Sequence, residues 1–257
     1  MEAISSLQNK KVRDAVRLHS SRGRKQQDRI IIFGAREIHR AVSAGVEITT
    51  LFASEGHALP PALTANTGEV VVVTEPVFEK LAYGNRGDGI IAVAKRPLRS
   101  IDQFKAGSDL ILVVEAIEKP GNLGAIFRTA DATGSGGIIV SEPMCDPFHP
   151  NAIRNSTGTV FSLPAAVTDN SNTISWLRER NYEILIATPE QADDLYDIRF
   201  ELPTAIVLGS EAHGLSETWM QGSFKRVRLP MNGIADSLNV SVTAAVIMYE
   251  AMRQRKQ

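Results

Sequence analysis

The sequence predicts an α/β protein of two domains. Three observations carry that reading. Apolar, strand-like runs alternate with amphipathic helical segments almost throughout. In the second half those runs are continuous rather than alternating, as expected of strands buried on both faces of a parallel sheet. Between them, Lys95-Arg96-Pro97-Leu98-Arg99-Ser100 is polar, carries a proline, and is followed by a restart of the pattern. We place a boundary there, giving domains at 1–98 and 99–257.

In the first domain a basic helix is predicted near 8–20, then a strand at Arg29–Phe33. A helix follows at about 34–45, with Ile38, Ala41 and Val42 on its apolar side. Further strands are predicted at Ile48–Ala53, Glu69–Val73 and Gly89–Ala94. In the second domain Leu110–Glu115, Gly137–Val140, Ile184–Thr188 and Ala205–Gly209 read as buried strands, with helices near 123–133, 172–180 and 214–221. A last helix, about 237–255, has Val242, Ala245, Val246 and Tyr249 at i, i+3, i+4, i+7 and closes on Arg253, Arg255 and Lys256, cations suited to the negative end of the helix dipole.

At 257 residues with 43% hydrophobic side chains, the chain has material for real cores, and a formal net charge of −1 points to no partner by itself. The charge distribution is more informative. Lys10, Lys11, Arg13, Arg17, Arg22, Arg24, Lys25 and Arg29 face only Asp14 and Asp28 within one short stretch. Such an arm suits a phosphate backbone, although a solvated helix face has the same composition. The single cysteine, Cys145, excludes an internal disulfide, fits a reducing compartment and reads as a packed side chain. No signal-peptide pattern or membrane-length apolar run is present, so a soluble, cytoplasmic protein without a membrane partner is expected.

Three segments, each following a predicted strand, carry the chemistry, and open α/β sheets place ligands at such points. In EAIEKPGNLGAIFRTADATG (115–134), Asn122 suits a helix cap, while Leu123, Ile126, Phe127 and Ala130 face the core. Arg128 is out of phase with that face; an ordinary surface pair with Asp131 would explain it equally well. In IVLGSEAHGLS (206–216) a strand runs into Gly209, which permits close backbone approach to a ligand or simply forms a turn. Neither GxxxxGK[ST] nor a GxGxxG after a strand occurs, which removes support for nucleotide-triphosphate and dinucleotide cofactors and hence for an oxidoreductase. In RLPMNGIADSLNVSV (228–242), Ser237 has the composition of a helix cap, which leaves Asn239 without an evident local role. His19, His39, His57, His149 and His213 are scattered, and no His/Cys/Asp group has metal-ligand spacing.

Together NLGAIFRTADATG, IVLGSEAHGLS and RLPMNGIADSLNVSVTAAVIMYEA resemble, in order and spacing, the three motifs of the SpoU/TrmH family of ribose 2′-O-methyltransferases, within the SPOUT class. Residues 1–98 more loosely resemble the substrate-binding domain of its rRNA-directed branch. The resemblance implies a deep trefoil knot in the parallel-sheet domain, a homodimer with active sites at its interface, and S-adenosyl-L-methionine as methyl donor. Carried over by position, it implies that Asn122, Arg128, Glu211, Ser237 and Asn239 are catalytic. Backbone around Leu208, Gly209, Leu229, Met231 and Leu238 is then expected to grip the donor, and Arg22, Arg24 and Lys25 to contact RNA. In that mechanism Glu211 and Asn239 hold Arg128 and the ribose, and a donor with its own reactive methyl needs no metal. Ribosomal RNA is the expected acceptor; transfer RNA, or a non-catalytic RNA-binding protein with a vestigial donor fold, are the alternatives.

Overall fold

The computed structural model describes residues 3–65, 67–82, 88–201 and 203–255, and of Ala62 the backbone alone. Lys256 therefore lies outside the described residues. The chain forms two compact units: Met1–Leu98 together with Asp146–Ser162, and Arg99–Cys145 together with Leu163–Gln257. The stretch expected to be one domain from 99 onward is thus interrupted by a segment that packs with the first unit.

The elements in chain order begin with α1 (Lys10–Arg17), α2 (Ser21–Gln27), β1 (Arg29–Phe33), α3 (Ala35–Ser43), β2 (Ile48–Ser54), α4 (Pro61–Thr64), β3 (Thr67–Val73), α5 (Glu75–Leu81) and β4 (Ile90–Lys95). The first sheet has the order β1-β4-β2-β3, with β4 antiparallel to both β1 and β2, and β3 parallel to β2. Its core includes Ile31, Phe52, Val71, Val73 and Ile91 from the strands, covered by Val12 and Leu18 from the α1 region and by Val77, Phe78 and Leu81 of α5. The basic helix is shorter than its composition suggests. Ser20 ends it by donating its hydroxyl to Arg17 O, and the same oxygen caps α2 by accepting from Gly23 N at 3.0 Å.

The inserted segment supplies α7 (Pro150–Asn155) and α8 (Thr159–Ser162). It also supplies Asp146, whose carboxylate accepts from Arg24 Nε at 2.7 Å. Arg24 is fully buried and donates further to Leu18 O and His19 O. Its expected role as an RNA contact is thereby corrected. A guanidinium taken out of water needs an internal counter-ion, and this one has it. Arg22 and Lys25 remain exposed.

The second unit contains β5 (Leu110–Glu115), α6 (Pro120–Ala132), β6 (Gly137–Ser141), β7 (Ala165–Thr168), α9 (Asn170–Glu179), β8 (Glu183–Ala187), β9 (Asp193–Asp194), β10 (Thr204–Leu208), α10 (Glu217–Met220), β11 (Lys225–Arg228) and α11 (Val240–Arg255). Its strands form a seven-stranded sheet of order β7-β6-β5-β10-β8-β11-β9, parallel at every pairing. Every residue of β5, β6 and β10 is buried, which explains their unbroken apolar character. Helix α6 turns Leu123, Ile126, Phe127 and Ala130 inward, as its periodicity predicts, and packs on α11. For α11 the expected face is corrected. Val240, Ala244, Ile247, Met248 and Ala251 are buried, whereas Val242 and Tyr249 are exposed and Ala245 and Val246 only half-buried. The helix carries two apolar stripes, and the chain itself covers one. No described helix is long and apolar enough to cross a membrane.

Candidate functional site

The site is built where β5, β8, β10 and β11 end, because parallel strands deliver their following loops to one edge. Beyond β10, Ser210 and Gly214 pair through two backbone hydrogen bonds of 2.9 and 3.0 Å, closing a five-residue loop. A Cβ on Gly209 would lie 2.1 Å from Gly214 C and 2.4 Å from Leu215 N. Glycine is needed there because the returning loop crosses directly over it. His213 is exposed at the loop tip, its backbone N–H donating to Ser210 Oγ.

This loop, the one after β11 and the start of α11 surround a cavity of about 530 Å³, the size of a small-molecule site. Leu208, Gly209, Leu229, Met231 and Leu238 all line it, as do Glu211, Ser237 and Asn239. Its lining also includes the charged residues Lys119, Arg228 and Asp236. Arg228 is engaged elsewhere, its Nε donating to Asp194 at 2.6 Å.

At the rim three side chains interlock. Asn122 Nδ2 donates to Glu211 Oε1, while Asn122 Oδ1 accepts from Asn239 Nδ2 at 3.3 Å. Each of the three sequence segments thus contributes one member. Asn239 is also the cap of α11: its carbonyl accepts from Val242 N and Thr243 N at 2.9 Å, and its side-chain oxygen accepts from Ser241 N at 2.9 Å. This corrects the expectation that Ser237 is the cap; Ser237 lies in the preceding loop and lines the cavity. The other oxygen of the carboxylate, Glu211 Oε2, is buried with no hydrogen-bond partner among the described residues. An unpaired buried acceptor is costly, and a cationic ligand would satisfy it.

Arg128 stands on the exposed side of α6 and does not line the cavity. Within one chain Glu211 and Asn239 both bind Asn122 rather than Arg128. No ion pair joins it to Asp131 among the described residues. Helical spacing sets it in one stripe with Gly121, Ala125 and Ala132, none of which is buried.

One buried polar cluster escaped the sequence reading. Glu115, buried at the end of β5, accepts from Ser216 N at 2.8 Å through one oxygen. Its other oxygen accepts from Ser216 Oγ at 2.6 Å and from Asn170 Nδ2. Asn170 Oδ1 in turn accepts from Trp219 Nε1 at 2.9 Å and Ser141 Oγ at 2.7 Å. The available signal was the carboxylate closing the apolar run LILVVE.

A parallel sheet whose carboxyl-edge loops close around a cavity with an amide–carboxylate rim defines an α/β fold with a small-molecule site. Residues 109–249 match the SpoU rRNA Methylase family, and residues 9–92 match the MRM3-like substrate binding domain. The chain belongs to the SpoU methylase family. It is 32% identical to a 23S rRNA (uridine(2479)-2′-O)-methyltransferase of Streptomyces viridochromogenes, over 88% of this chain and 83% of that one. A crystal structure of an RNA 2′-O ribose methyltransferase superposes with a TM-score of 0.86 at 38% identity, covering 100% of both chains. The SpoU methyltransferase AviRb from Streptomyces viridochromogenes, in complex with AdoMet, gives a TM-score of 0.87 at 30% identity, covering 97% and 99%.

Proposed function

We propose that this chain is a cytoplasmic homodimeric enzyme that transfers a methyl group from S-adenosylmethionine to a ribose 2′-hydroxyl of ribosomal RNA. The observation that carries the reading is the Asn239–Asn122–Glu211 chain on the rim of a cavity lined by all five residues expected to grip the donor. S-adenosylmethionine is cationic at both its sulfonium and its ammonium group, so it fits a cavity whose wall holds Glu211 Oε2, an oxygen with no partner among the described residues. When bound it supplies an electrophilic methyl carbon. The residues of this chain then have to orient a weak nucleophile and move its proton.

Asn122 fixes the orientation of Glu211, and Asn239 fixes Asn122, so the rim is ordered before RNA arrives. Arg128 is assigned to the phosphate beside the target ribose, which its planar fork suits; a guanidinium is a poor base, so the phosphate or a water takes the hydroxyl proton. Because Arg128 lies outside its own chain's cavity, we assign it to the cavity of a second copy. The uncovered stripe of α11, with Val242 and Tyr249, and the small-residue stripe of α6 supply a seat for that copy. The deep trefoil knot of the C-terminal loops belongs to the same proposal and rests on family likeness.

Methyl transfer from labelled S-adenosylmethionine to ribosomal and transfer RNA transcripts, with the modified atom mapped, tests the reading. Label on a ribose oxygen of ribosomal RNA is expected. Label on transfer RNA alone would reassign the acceptor, and absence of donor binding in a calorimetric titration would leave a vestigial fold. Arg128→Lys keeps the charge and loses the fork; near-normal turnover in that variant would remove the phosphate role.

A further inference from the structure

We propose that Glu115 is a positioning residue of the donor site, acting through Ser216 to hold the loop that carries Glu211. The inference rests on the cavity being the donor site. Glu115 ends β5, and Ser216 stands immediately beyond the loop of residues 209–215. The first and second sequence segments are therefore fastened at two places. Asn122 meets Glu211 at the rim, and Glu115 meets Ser216 at the base.

The base fastener admits little substitution. Glu115 receives three donors: the Ser216 N–H, the Ser216 hydroxyl and the Asn170 amide. Asn170 cannot turn over to accommodate a donor in return, because its oxygen already accepts from Trp219 Nε1 and Ser141 Oγ. Only an acceptor-only side chain satisfies every member, and a glutamine would set one N–H against another. Two backbone hydrogen bonds and Gly209 close the loop at its neck but leave the whole loop free to hinge on the strand end; the Glu115–Ser216 contact removes that freedom. The placement of Glu211 in the cavity wall is thus governed by a residue that does not line the cavity.

The test compares Glu115→Gln, Ser216→Ala and the apolar core variant Ile139→Ala, all measured below their unfolding temperatures. Ile139 is a fully buried residue of β6 and serves as a control for simple loss of stability. Glu115→Gln is expected to raise the dissociation constant of S-adenosylmethionine about tenfold or more, the usual effect of losing charge-assisted buried hydrogen bonds. Ser216→Ala keeps the backbone donor and should raise it by roughly threefold. In both, KM for RNA at saturating donor should stay within about twofold, and Ile139→Ala should leave donor affinity unchanged. Combining Glu115→Gln with Glu211→Gln should give less than the product of the single effects, because both act through one loop. Donor affinity in the Glu115 variant no lower than in Ile139→Ala, or fully multiplicative effects with Glu211→Gln, would overturn the inference. If Glu115→Gln does not fold, Ser216→Ala decides by the same comparison. Failure of the unaltered protein to bind the donor would overturn the reading of the cavity instead.

Discussion

Replacing Gly209 by alanine isolates the contribution of one hydrogen-sized gap to the site. Its backbone is not in the left-handed region, so alanine brings no conformational penalty there. The obstacle is contact: the new carbon would sit 2.1 Å from Gly214 C, against an ordinary approach of 3.4 Å, so the loop must retreat by roughly 1 Å. Both partners are backbone and cannot rotate aside. Retreat stretches the two Ser210–Gly214 hydrogen bonds, worth about 1 kcal/mol each, and overpacking adds about 1–3 kcal/mol. A 1 Å displacement of a positioned group is also enough to cost on the order of 100-fold in turnover. Gly214→Ala provides the contrast. Its Cβ would meet nothing within 4 Å, but its φ of +67° sets about 1–2 kcal/mol of backbone strain against it. Calorimetric donor titration with thermal melts of both variants checks this. Wild-type donor affinity together with an unshifted melt in Gly209→Ala would show that the loop is not held over that glycine as described.

Arg24→Gln should destabilise the first unit by about 2–3 kcal/mol in urea titrations by leaving buried Asp146 with only its longer ion pair to Arg96, whereas Arg22→Gln with Lys25→Gln should spare stability and flatten the salt dependence of RNA binding. An unchanged salt slope in the double variant would place the RNA contact elsewhere. Tyr249→Glu, on the uncovered stripe of α11, should convert a dimer to monomers in sedimentation; an unaltered mass would remove that stripe from the interface. Burial lowers the pKa of both His19 and His149, so each is neutral when folded, and the Nδ1 of His149 caps α7 by accepting from Asn151 N. As pH falls through about 6.5 the unfolded chain takes up these protons first, so the melting temperature should drop on acidification and stay flat above about pH 7.5. A melting temperature that rises between pH 7 and 5.5 would contradict this.

The buried strands were legible because β5, β6 and β10 have no solvent face, so their sequences carry no polar interruption until the strand ends. Two short strands were not. Lys225-Arg226-Val227-Arg228 forms β11 with a single buried side chain, and four residues suffice for β7. Arg24 was illegible for another reason: its neighbours look like a solvated basic helix, and the partner that permits burial lies 122 residues away. On α11 the rule of helical period could not choose between two apolar stripes, since both satisfy it and burial of one depends on α6. Ser237 and Asn239 are equally good caps by composition. Asn239, the residue that caps α11, also bonds Asn122 of the distant helix α6, a contact that no local pattern records.

The chain passes between its two units three times, near residues 98, 145 and 162. A gene cut once at the first crossing would yield two incomplete halves: one missing the anion that Arg24 requires, the other carrying α7 and α8 without the β1 and α3 they pack against. Synthesis meets the same constraint in time. The amino-terminal sheet can be laid down early, but its last counter-charge and last helices leave the ribosome only after β5 and β6 of the other sheet. Completion of the first unit is therefore scheduled behind the beginning of the second, which makes the pair a single unit of birth even though each has its own core.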